Sequence, residues 1–204
     1  MPNENIALQR WSEAKKWVLH HGTKSNTEHL YAYDAVTGSV LAKGTNGLPG
    51  RVQIPESVVK VASDRKREIG IHHNHPNSSG LTAADFRVLA GNPGITAIVA
   101  HAHDGCDYIA KALERGNISN QIVCLDTALQ YVLRNDNKAA VLHRQGILLA
   151  LQGHLLGMAL SASGVVSYQA ILSVETQALY DRLSTHLDSW VKAAVLSCPI
   201  VRKS

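Results

Sequence analysis

The sequence predicts an α/β (α+β) unit followed by an all-helical C-terminal region, and three observations carry that expectation. Short runs rich in β-branched and aromatic residues, each closed by turn residues, alternate with helix-like segments up to about residue 118. From about residue 119 the apolar residues take up helical spacing and keep it to about 197. The chain has 204 residues, 45% of them apolar and 18% charged, enough to bury a core without metal or disulfide staples. The expected organisation is an N-terminal helix over 1–23, a mixed domain over 24–118 and a helical region over 119–204.

Each element has a local reason. Ile6, Leu8, Trp11 and Val18 stand near helical spacing, so residues 5–20 open the chain as a helix. Residues 28–42 read as two strands about a turn at 34–38. Gly44, Gly47, Pro49 and Gly50 mark a loop, and Pro55 then opens a short helix to about residue 65, its φ being preset for a first helical position. A strand over 68–73, a polar loop over 74–81 and a helix over 82–90 come next. Residues 95–101 form a β-branched strand, Asp104 and Gly105 a turn, and residues 107–112 a returning strand.

Composition excludes whole classes. There is no repeat and no low-complexity tract, so the chain is neither fibrous nor disordered. The net charge of +4 is not gathered into a tail or arm, and it gives a nucleic-acid partner little support. Cys106, Cys124 and Cys198 make no CxxC pair and read as reduced thiols, which with a charged N-terminus points to a cytoplasmic protein. Residues 145–174 lack Asp, Glu, Lys and Arg and are long enough to span a bilayer. Gln152, His154 and several Ser and Gly dilute that stretch, so the favoured reading is a buried helix or helix pair with small residues at a close crossing.

The chemistry concentrates between Ile71 and Phe86. His73 and His75 are two apart at a strand end, so both side chains leave the same side of the backbone. Pro76 turns the chain, and a short loop delivers Thr82 as an N-cap with Asp85 three positions later. Two imidazoles and one carboxylate make a three-ligand set with a fourth position open to water, the pattern of a catalytic zinc site.

His-x-His-Pro followed by Thr-x-x-Asp resembles the JAMM motif of the JAB/MPN metalloproteases, and the His-Asn-His-Pro wording is closest to the bacterial RadC-like and phage-associated branch. The resemblance covers roughly residues 24–115 and implies an MPN-like mixed sheet flanked by helices. It also implies a zinc-dependent metallopeptidase or isopeptidase acting on a protein or peptide, ubiquitin-like conjugates among them. By the resemblance, His73, His75 and Asp85 hold Zn2+ and Thr82 takes the place of the family's serine. Glu28, ahead of Glu56 and Glu68, takes that of its upstream glutamate, the proton carrier. The loop 76–81 is one residue shorter than the family's commonest spacing, and threonine replaces serine with its hydroxyl kept.

Other readings attach to the same residues. His73-Asn74-His75 spells HNH, which with the basic balance raises a metal-dependent nuclease or a RadC-like DNA-associated protein. A non-enzymatic MPN scaffold, or a bacterial effector with a membrane-active helical tail, are further alternatives. His72 is expected to point away from His73, and Asn74 and Asn77 to be loop formers. His101 and His103 flank a turn that is expected to face solvent.

Overall fold

The computed structural model describes residues 4–48, 50–113 and 118–199. Among them, six strands form one mixed sheet: β1 (Leu30–Asp34), β2 (Val40–Gly44), β3 (Ile69–His75), β4 (Ile95–Ala102), β5 (Asp107–Ala112) and β6 (Val166–Ile171). The order is β2-β1-β3-β4-β5-β6, with β3 and β4 parallel and every other pair antiparallel. Helix α3 (Ala83–Gly91) connects the parallel pair. The β1–β2 turn closes where Asp34 Oδ1 accepts from the Val36 and Thr37 N–H groups and Gly38 takes a φ of 74°.

Strand alternation divides the core in two. Leu30, Ala32, Ile69, Ile71, Ile98 and Tyr108 face the main core, with helices α3, α4 (Ile118–Arg134), α6 (Ile147–Ala162) and α7 (Val174–Ser197) packed there. The opposite face, with Tyr31 and Tyr33, is covered by Ala14, Trp17 and Val18 of α1 (Glu4–Ser25). The short helices α2 (Glu56–Ala62) and α5 (Asn137–Arg144) complete the chain.

The elements expected up to residue 112 all form. The C-terminal region is not all-helical: β6 pairs along the whole of β5 and joins that region to the sheet. Val166, Tyr168 and Ala170 face the core while Ser167, Gln169 and Ile171 face out, a strand alternation that follows the turn at Gly164, where φ is 78°. The stretch 147–167 is therefore one helix followed by the start of a strand. Its small residues do sit at close approaches, Gly153 against the backbone of Gly80 and Leu81, and Gly157 against the Tyr168 ring. Among the described residues no helix is long and apolar enough to cross a membrane. The thiol expectation is also corrected: Cys124 of α4 is disulfide-bonded to Cys198 at the end of α7, and Cys106 alone is a free, buried thiol. The cysteine count thus no longer argues for a reducing compartment.

Candidate metal centre

His73 and His75 leave the end of β3 on the main-core face, in step with Ile69 and Ile71. After Pro76 the chain passes through a left-handed residue, Ser78 with φ 54°, and reaches Thr82, the N-cap of α3. Thr82 and Asp85 form a reciprocal capping box: the Thr82 hydroxyl accepts from Asp85 N–H, and Asp85 Oδ2 accepts from Thr82 N–H at 2.7 Å. Thr82 Oγ1 also donates to Asp85 Oδ2 at 2.7 Å. The helix start therefore aims the carboxylate back at the strand.

Three ligand atoms converge as a result. His73 Nε2 lies 2.8 Å from His75 Nε2 and 3.2 Å from Asp85 Oδ1, and His75 Nε2 lies 3.7 Å from Asp85 Oδ2. Adjacent ligands of a tetrahedral ion at a bond length of about 2.05 Å stand about 3.3 Å apart, and the three separations bracket that value. These residues could hold a metal ion, and they are the one such group among the described residues. Both imidazoles are held from behind, as metal-ligating histidines are. His75 Nδ1 donates to the Ser79 carbonyl at 2.9 Å, with Ser79 Oγ at 3.2 Å, which leaves Nε2 as the acceptor. His73 is hydrogen-bonded to the Val99 backbone.

Charges inside this dry corner are strongly coupled. Burial and the facing His73 push His75 down to about 4. Burial opposes ionisation of Asp85, but the two histidines outweigh it and hold the carboxyl below its usual range. Burial also opposes the charge on His73, and Asp85 more than restores it, so that His73 is raised.

Glu28 belongs to the same corner. It precedes β1 by two residues, and continuing the β1–β3 register, in which Leu30 faces His73, sets it opposite His75 on the same sheet face. Its side chain is buried, accepts from the Val52 backbone N–H and feels the charge of both His73 and Asp85. Burial pushes its carboxyl up to about 7. Glu56 and Glu68, the other upstream candidates, are exposed. Thr82 is also exposed, its hydroxyl turned to Asp85.

No family model, curated protein or solved structure matches this chain.

Two expectations around the site are corrected. Asn74 is not a loop former but a fully buried residue of β3, on the face opposite the two histidines that flank it. Its Oδ1 accepts from His29 N–H at 2.8 Å and its Nδ2 donates to the Thr27 carbonyl at 3.1 Å, so it grips the backbone on both sides of Glu28. His101 does not face solvent: it is buried under α1, with Nδ1 on Asp107 at 2.7 Å and Nε2 on His72 Nδ1 at 2.9 Å. Lys15 of α1 completes that chain on Asp107 at 2.7 Å, and Trp11 stands edge-on to His72. His72 does point away from His73, and His103 is half-buried with Nε2 accepting from Asn74.

Proposed function

We propose that this chain is a metal-dependent amide hydrolase, a peptidase or isopeptidase of JAMM type, with Zn2+ as its metal. The observation that supports it best is the joint placement of a two-histidine, one-aspartate set and a buried glutamate on one sheet face. The motif resemblance supplies the family, and an MPN-like sheet is part of the same proposal. A divalent zinc bound by His73, His75 and Asp85 would supply Lewis acidity, polarising an amide carbonyl and making water a better acid.

The chain's own residues do the rest. Glu28, poised near neutrality, takes a proton from the attacking water and returns it to the leaving amine. Asn74 fixes the backbone that carries Glu28. Thr82 holds Asp85 in place by donating its hydroxyl to Oδ2, and that proton would have to leave the carboxylate to serve charge developing on the carbonyl oxygen, the role the motif resemblance implies for it. The exclusion of bulk water from His73, His75 and Glu28 strengthens each of these interactions. The HNH spelling supports a nuclease less well, because Asn74 is turned to the other face of the sheet.

The test joins metal content to turnover. Purified protein should carry close to one zinc per chain by elemental analysis, and His75→Ala should lose most of it. Glu28→Gln should keep the zinc while hydrolysis of a pool of internally quenched peptides falls by roughly 10²–10⁴-fold. Unchanged zinc in His75→Ala would overturn the site, and full activity of Glu28→Gln would overturn the role of Glu28.

A further inference from the structure

The C-terminal region, which the motif resemblance does not reach, builds one wall of a cavity beside the metal centre. Helix α6 meets the loop before α3 backbone to backbone. A Cβ at Gly153 would stand 2.7 Å from the carbonyl oxygens of Gly80 and Leu81, and one at Gly80 would stand 2.8 Å from His154 N. Around this contact lies a cavity of about 200 Å3, with Ser79, Thr82, Asp126, Leu149, Gln152 and Leu156 in its walls. Two of those residues touch the ligand set directly, Thr82 through Asp85 and Ser79 through His75. The cavity thus lies one residue removed from the candidate ligands, within reach of a neighbouring side chain of a polypeptide held at them.

The walls state what they would accept. Pockets for whole small molecules run to about 300–1,000 Å3, so this one is sized for a single side chain. Leu149 and Leu156 offer an apolar wall. Asp126, half-buried, offers a carboxylate that accepts from the Gln130 amide at 3.3 Å, and among the described residues no lysine or arginine pairs with it. An aliphatic stem ending in a cation satisfies both features, its methylenes on the leucines and its charge on the carboxylate. An acidic side chain would meet like charge, and a short apolar one would leave Asp126 unanswered.

We infer that this cavity is a subsite for a basic side chain, lysine or arginine, of a polypeptide substrate, with Asp126 as the residue that selects it. The inference rests on the amide-hydrolase reading for its meaning but not for its test. The full-length protein would be titrated with Nα-acetyl-L-lysine N-methylamide and with its norleucine and glutamate counterparts, followed by NMR of the backbone amides. The lysine probe should give saturable shifts at Gly153, Asp126 and Ala83, with the norleucine probe several-fold weaker and the glutamate probe silent. Asp126→Asn, isosteric and on a half-buried helix surface, should weaken the lysine probe about five- to tenfold and bring it level with norleucine. No saturable shift at these amides, or equal binding of lysine and norleucine by the wild type, overturns the subsite. Peptide hydrolysis without lysine binding would sink the subsite alone. Lysine binding without any hydrolysis would sink the hydrolase reading alone.

Discussion

Asn74 shows how one side chain can serve a site it does not face. Its amide holds the His29 N–H and the Thr27 carbonyl, the two peptide groups that frame Glu28, and it fills the space that a side chain at Gly22 would need. Asn74→Ala leaves both backbone groups without that partner in a buried setting, at a cost of about 1–3 kcal/mol. Urea unfolding should register that loss while elemental analysis finds the same metal content as in the wild type, since none of the candidate ligands is touched. Unchanged stability would mean that water or a shifted backbone replaces the amide. The contrast with His73, His75 and Asp85 explains what the sequence could disclose. Those three lie within thirteen residues, and strand parity, a proline and a cap suffice to bring them together. Asn74 finds His29 at a separation of 45 residues and His101 finds His72 at 29, so their roles depend on register between distant strands. Nothing in the local spelling distinguishes such a clamp from a loop asparagine.

At the scale of elements, α6 is the piece whose position matters most for the site. It is apolar nearly all round, as a helix buried among α4, α5, α7 and β6 must be. Gly153 lets it touch the loop that carries Ser79 to Thr82. In Gly153→Ala the new methyl would meet two backbone oxygens that cannot rotate away. Overpacking of this kind costs about 1–3 kcal/mol, more than the roughly 1 kcal/mol that alanine returns in helix propensity. Gly91→Ala in α3 has open space around the added methyl and should be neutral or slightly stabilising. Thermal denaturation of the two variants side by side checks the pair, and equal melting temperatures would show that the loop yields to α6. The helix itself was readable from its composition, and so were the small residues at its crossings. Strand β6 was not, because six residues next to a long apolar helix carry too short an alternation to break the helical pattern.

The whole molecule has an acid limit set partly by a histidine outside the candidate ligand set. His154 is buried in α6, its ring 4.4 Å from that of Tyr180 and its Nδ1 3.1 Å from the Tyr168 hydroxyl. Burial pushes it down to about 4, whereas in the unfolded chain a histidine titrates near 6.5. The unfolded state then binds the proton more readily. The stabilisation from keeping His154 neutral is complete above about pH 6.5 and is lost as the pH falls through 4. Between pH 7 and pH 5 the wild type should lose roughly 2 kcal/mol more than His154→Phe. Urea unfolding at the two pH values measures the difference, and parallel losses would assign the acid sensitivity to other groups.

The addition of β6 to the sheet also reaches into how the protein is made. Strand β5 leaves the ribosome with its outer edge bare, and its partner is synthesised about 60 residues later, an interval on the order of 3–12 s at ordinary translation rates. Until then the backbone N–H and C=O groups along that edge are open to any other extended chain, the condition under which edge strands pair wrongly. His73, His75 and Asp85 are all synthesised before that interval begins, so the nascent chain can carry all three candidate ligands while its sheet is still unfinished.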